Sequence, residues 1–237
     1  MTKSILAIET CSESCSVALH HQNIQYQQIS TEPRGHADNV LPMVEQVLAD
    51  AKISLKSLDA IAFTRGPGAF TGVRIGTSVA QGLSLGTNLP LIAVSSLAVL
   101  AQGSYRGTSS ENCLAALDAR MSEVYFGQYQ LNSDGLMVAL QDDQVASPNA
   151  VTCVDEDKQV SEQNEWYTAG AGWLNYSDDM IQRFKDWNTQ SQSERLYPEA
   201  IDLLTLAQWH YANGDLLDPA EALPVYVRDQ EYIPIEK

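Results

Sequence analysis

Basic residues are scarce in this chain: 14 Lys and Arg stand against 30 Asp and Glu in 237 residues, a formal charge of −16. Such a surface repels phosphate backbones, which argues against the chain gripping RNA or DNA by itself. A basic partner would supply that grip, and the alternative is acidity that serves only solubility. Cysteines are also few. Cys11, Cys15, Cys113 and Cys153 form no C-x-x-C pair and no Cys/His cluster with metal-ligand spacing. Cys11 and Cys15 sit in or beside apolar runs, where a thiol behaves as a small hydrophobe. No segment approaches the roughly 20 apolar residues of a membrane span. The run Ile5-Leu6-Ala7-Ile8, ended by Glu9, is too short for a signal-peptide core. The chain is therefore expected in the cytoplasm, away from membranes. The 4 histidines, His20, His21, His36 and His210, include no i, i+4 zinc pair. His36 precedes a helix and reads as a surface or cap residue rather than a base. No nucleophile elbow is read, because the Gly-x-Ser-x-Gly spacing of Gly82 to Gly86 falls on the predicted helix over 72–85 rather than on a strand-to-helix turn, and Gly-Lys-Ser/Thr is missing, which excludes a Walker A loop.

What is present is an ordinary soluble composition, 44% apolar, in a chain long enough for one large domain or two coupled lobes. Residues 4–10, 15–20 and 24–29 read as an antiparallel meander. A helix is predicted over 39–51, with Pro42 tolerated in its first turn. A strand follows over 58–64, then a glycine-rich loop and a helix over 72–85, a strand over 90–94 and a short helix over 95–102. The polar stretch 104–112 (SYRGTSSEN) marks a lobe boundary. Beyond it, strands are expected over 113–117, 124–130, 137–145 and 166–169, and helices over 178–187 and 198–213. Residues 219–237 form a proline-rich tail. The order βββαβα, followed by a looser version of itself, suggests an internal duplication: lobe one over 1–103, a linker over 104–112 and a divergent lobe two over 113–237.

Three segments are candidates for function. Glu9-Thr10-Cys11-Ser12 closes the first strand with a carboxylate and small hydroxyls. In phosphotransfer enzymes with duplicated βββαβα lobes, an Asp-rich hairpin at this place cradles phosphate and metal. Here the acid is longer and no glycine follows it, which favours a structural role. Asp118 to Glu123 is a charged turn in lobe two, either facing Glu9 across a cleft or simply solvated. On the two first-lobe helices, Val40, Val44 and Val47 form an apolar stripe that Met43 widens, while Gly72, Gly76, Ala80 and Ser84 recur every fourth residue. Each helical glycine costs up to about 1 kcal/mol against Ala, so a close helix crossing is implied. That crossing is either on the chain's own sheet or between molecules, and the wide apolar arc of the 39–51 helix favours the second.

Ile8-Glu9-Thr10, residues 65–76 (RGPGAFTGVRIG), 118–125 (DARMSEVY), 170–172 (GAG) and 224–228 (PVYVR) together resemble the TsaB (YeaZ) family over nearly the whole chain. The resemblance implies an α/β actin-like ATPase (ASKHA, ribonuclease H-like) fold. It also implies a non-catalytic companion of TsaD, which with TsaE moves a threonylcarbamoyl group from its adenylate to the adenosine beside the anticodon of tRNAs reading ANN codons. TsaC makes that adenylate. The catalytic paralogue carries a metal-binding His-x-x-x-His where this chain has residues 94–101 (VSSLAVLA), with Ser96 and Leu100 at the matching places. The resemblance assigns TsaD pairing, and homodimerisation of the chain alone, to the two first-lobe helices, hence to Val40, Met43, Val44, Val47, Gly72, Ile75, Gly76 and Val79. It leaves Glu9, Thr10, Cys11, Ser12, Asp118, Gly170 and Gly172 as a degenerate nucleotide cleft. No cofactor or metal is expected for the chain alone, ATP and Mg belong to the complex interface if anywhere, and tRNA is met only through the complex. The competing class is a small-molecule kinase or ATPase using Glu9, Asp118 and residues 170–172; a metallopeptidase is remote, because the His pair is missing.

Overall fold

The structure, a computed structural model, describes residues 2–32, 34–155, 164–191 and 196–228. Strands β1 (Ile5–Glu9), β2 (Cys15–His21) and β3 (Ile24–Ser30) form the expected antiparallel meander. β4 (Ala60–Thr64) joins β1 in parallel, and β5 (Leu91–Val94) joins β4. The unbroken apolar runs of β1 and β4 suit central strands covered on both faces. The sheet order is β3-β2-β1-β4-β5.

The second sheet repeats this plan. β6 (Asn112–Arg120), β7 (Glu123–Leu131) and β8 (Met137–Ala139) are antiparallel, while β10 (Trp166–Ala169) and β11 (Thr189–Ser191) continue from β6 in parallel. Its order, β8-β7-β6-β10-β11, matches the first sheet strand for strand, and β9 (Gln144–Ala146) adds to β7. Two ribonuclease H-like sheets with one path are the duplicated core of the actin-like ATPase fold.

Helices α1 (His36–Ala51) and α2 (Phe70–Thr87) cover the outer face of the first sheet, placing Val40, Val44, Val47 and Ala80 against Leu6, Ile8, Ile61 and Phe63. Helices α3 (Ser96–Thr108) and α6 (Ala200–Asn213) lie on its other face, toward the second sheet. There Leu203, Leu204 and Ala207 meet Ile5, Ala7 and Ile92, while Leu97, Leu100 and Ala101 meet Cys113, Ala115 and Leu117. Arg106 of α3 forks onto Asp202 of α6 at 2.6 and 3.1 Å. Thus α6, late in the chain, returns to the first sheet. Short helices α4 (Ala171–Asn175) and α5 (Ser177–Arg183) shield the far face of the second sheet around Trp166, Phe184 and Trp187.

Several elements differ from the sequence reading. α1 begins at His36, whose Nε2 lies 2.9 Å from the Ser12 carbonyl, so Pro42 falls inside the helix and leaves the Asp38 carbonyl without its i+4 N–H. α3 runs on through Thr108, taking in half of the expected linker; its polar residues 104–108 stay helical because Ser95 caps the start and Arg106 is held by α6. The expected strand over 137–145 is two, β8 and β9, both edging β7. The helix over 178–187 ends at Arg183, freeing Phe184 and Trp187 to pack edge to face at 5.2 Å. Pro33 and the tail from residue 229 lie outside the described residues.

Candidate functional site

The β1–β2 turn of lobe one and the β6–β7 turn of lobe two face each other across a cleft of about 440 Å³, lined by Cys11, Ser12, Asp118, Arg120, Tyr197 and Tyr226 among others. Arg120 bridges it: its guanidinium reaches Asp118 at 3.1 Å and Glu13 at 3.0 Å, and Tyr197 donates to Glu13 at 3.1 Å. Asp118 is further committed, accepting from the Arg120 amide at 2.7 Å, the Tyr176 hydroxyl at 3.0 Å and the Asn175 amide at 3.1 Å. Asp118 therefore faces Glu13 rather than Glu9. Arg120 belongs to the 118–125 motif, but Glu13 and Tyr197 carried no motif signal, because the meeting of the three depends on the two lobes docking.

Glu9 is 0% exposed, beneath the turn. Its Oε1 accepts from the Cys11 amide at 2.7 Å, while the buried Oε2 has no partner among the described residues. Burial pushes this carboxyl up to about 7, against the pull of Thr64 and of the Cys11 and Ser12 amides. Thr10 is equally buried and donates to the Gly72 carbonyl at 2.8 Å. Gly170 and Gly172 also serve packing: a Cβ on either would sit 2.0 and 2.9 Å from atoms of Ala116 on β6. Of the expected cleft set, then, Cys11, Ser12 and Asp118 line the cleft, and Glu9, Thr10, Gly170 and Gly172 lie behind its walls. A magnesium–phosphate group needs free carboxylate oxygens and exposed backbone amides. One carboxylate here is walled in and the other is saturated, so the residues present do not fit that group.

The glycine-rich loop has a similar explanation. A Cβ on Gly68, Gly72 or Gly76 would come within 2.1, 2.0 or 2.4 Å of Cys11 or Thr10. The stripe Gly72, Gly76, Ala80 and Ser84 is the face α2 turns toward its own sheet. Val40, Val44 and Val47 are likewise buried in the same core. These five positions (Val40, Val44, Val47, Gly72 and Gly76) therefore do not form a free helix face, and the expected intermolecular crossing through them is replaced by an internal one. Met43, Ile75 and Val79 are partly exposed. Beside them lie Leu41, Phe70 and Leu85, exposed by 46, 57 and 73%. Gly82 and Gly86 open outward, with nothing within 4 Å of a Cβ on either. The outer face of α1 and α2 thus carries exposed apolar and small residues among polar ones such as Glu45, Gln46 and Arg74, shifted around the helices from the expected set.

Among the described residues there is no group of three or more His, Cys, Asp or Glu placed to hold a metal, and no helix is long and apolar enough to cross a membrane.

Residues 22–176 match the family described as TsaD: tRNA N6-adenosine threonylcarbamoyltransferase. The tRNA threonylcarbamoyladenosine biosynthesis protein TsaB of Escherichia coli K12 is 39% identical over 95% of this chain and 94% of its own length. Its counterpart in Haemophilus influenzae is 36% identical over 96% and 94%. Among solved structures, YeaZ from Pseudomonas aeruginosa superposes with a TM-score of 0.85 at 42% identity, covering 94% of this chain and 99% of that one. A likeness at 36–42% identity that covers 94–96% of this chain makes it a member of the TsaB (YeaZ) family.

Proposed function

We propose that this chain is the non-catalytic subunit of a tRNA threonylcarbamoyladenosine-forming complex, paired with a TsaD-type catalytic subunit through the outer face of α1 and α2. The observation that carries the pairing is the state of α2. Gly82 lowers helix stability by up to about 1 kcal/mol relative to Ala, and Gly86, in the last turn, by less, yet no neighbour among the described residues requires either. Next to them Leu85 stands 73% exposed. Helical glycines beside an exposed leucine suit a second helix approaching closely from outside. Alone, the chain closes the same face on a second copy.

The non-catalytic reading rests on the cleft, where Asp118 is saturated and Glu9 is enclosed. It assigns no nucleotide or metal to the isolated chain and places any nucleotide at the junction with the partner. With a charge of −16, the chain meets tRNA only through its partners, TsaE among them. The test is reconstitution: tRNA modification with TsaC, TsaD and TsaE, with and without this chain, and with Leu85→Glu or Ile75→Glu in its place. Modification is expected to depend on the chain and to fall with either variant while the variant stays folded. Modification that proceeds equally without it, or turnover of Mg-ATP by the chain alone, refutes the proposal.

A further inference from the structure

The segment after α6 is poorly explained by anything above, yet it is fastened at every step. Leu217 pairs with Leu91 through reciprocal amide–carbonyl bonds of 3.0 and 2.9 Å, adding a bridge outside β5. Gln81 of α2 donates to the carbonyls of Pro219 and Ala222, both at 3.0 Å, and Ala222 is fully buried. The Val225 amide then donates to the Arg65 carbonyl at 2.8 Å. Tyr226 sits 6.1 Å from the Phe70 ring, with the Arg74 guanidinium 3.1 Å from the Phe70 centroid and 5.2 Å from that of Tyr226. All of these anchors belong to lobe one.

The next anchor does not. Arg228 donates to the Ala119 carbonyl at 3.2 Å, pairs with Glu123 and contacts the Met121 sulfur, all in the β6–β7 turn of lobe two. Val225 is part of the walls of two cavities, of about 430 and 440 Å³, so the segment divides the space between the lobes. Gly66 fits the same picture. It holds φ at +102°, and a Cβ there would lie 2.9 Å from the Val225 carbonyl oxygen. The first glycine of the RGPG loop and the PVYVR tail are two sequence motifs in direct backbone contact.

We propose that residues 217–228 form a strap that locks the angle between the lobes, with lobe one holding it through Arg65, Gly66 and the Phe70–Arg74–Tyr226 stack and lobe two through Arg228. The lock is made within one chain and its lobe-two anchor, Arg228, lies away from α1 and α2, so it is tested apart from the partner assignment above. A charge-assisted bond such as Arg228–Glu123 contributes enough that its loss raises local opening about tenfold.

Hydrogen exchange on the full chain, Arg228→Ala, Arg228→Lys and a chain ending at Leu223 tests the proposal. Arg228→Ala and the shortened chain are expected to exchange about tenfold faster in the 119–123 turn and at Val225 where it remains, with β1 and β4 unchanged and a larger radius of gyration in scattering. Arg228→Lys is expected to recover part of the protection. If the shortened chain does not fold, Arg228→Ala decides alone. Unchanged exchange in the turn, or equal acceleration in β1 and β4, overturns the strap.

Discussion

Replacing Gly72 by Ala separates the internal crossing of α2 from an intermolecular one, and Gly82→Ala is its matched control. Both substitutions add one methyl group inside the same helix, and both gain up to about 1 kcal/mol of helix propensity. They differ in what the methyl meets. At Gly72 it would lie 2.0 Å from the Thr10 carbonyl oxygen, and at Gly82 it would meet nothing within 4 Å. The Thr10 oxygen belongs to the end of β1, whose neighbours are fully buried, so it cannot withdraw without moving the sheet. Overpacking of this kind costs about 1–3 kcal/mol, and a backbone clash this close falls at or beyond the upper end. After subtracting the propensity gain, Gly72→Ala is expected to lose about 2 kcal/mol and Gly82→Ala to gain up to about 1 kcal/mol. Urea unfolding of the purified chain, followed by circular dichroism, reads both. Partner binding is expected to reverse the roles, with Gly82→Ala weakening the complex despite its stabler fold. Equal stability changes of one sign in the two variants would refute the assignment of the inner and outer faces.

Glu9 should make stability depend on pH. Its folded value of about 7 lies above the ordinary 4.5, so the folded state holds the proton more tightly and stability falls as pH rises from about 5 to 7, by a contribution on the order of 3 kcal/mol. Glu9→Gln is expected to flatten that slope, and a wild-type profile identical to the variant's would count against it. Arg106→Ala removes the forked ion pair with the buried Asp202 and is expected to cost about 2–3 kcal/mol, with Arg106→Ala/Asp202→Ala costing less than the sum of the single changes in a double-mutant cycle. Val44→Glu places a charge in a core position and is expected to unfold the chain, whereas Leu85→Glu is expected to leave the unfolding midpoint unchanged and abolish pairing in gel filtration with TsaD.

Strand positions were legible wherever burial is uniform. β1 and β4 read correctly because central strands need continuous apolar residues, and the repeated sheet order was visible as a repeated order of elements. Helix faces were not legible to the same degree. α2 carries small residues at 72, 76, 80 and 84 and again at 78, 82 and 86, both at helical spacing. Periodicity alone cannot say which set turns inward, since that depends on the β1–β2 turn reaching over to bring Thr10 and Cys11 against Gly72 and Gly68. The cleft was obscured for the same reason. Glu9 was the chemical candidate by position, yet Glu13 holds Arg120 because the last residue of β1 points into the core and the turn residue points across the gap.

These displacements share one cause. In an actin-like fold that handles nucleotide, the loops between lobes keep their amides and carboxylates free, and glycine serves to bring backbone to phosphate. Here the same loops are spent on the chain itself. Gly68 admits Cys11, Gly66 lies against Val225, Gly170 admits Ala116, and Asp118 is filled by Arg120, Tyr176 and Asn175. A cleft closed from its own side in this way has little freedom to open around a ligand, which suits a subunit whose contribution is a fixed shape. On the pairing proposed above, rigidity of that kind would favour docking at the outer face of α1 and α2, because a partner meeting a preformed surface loses less conformational entropy than one that must first order it.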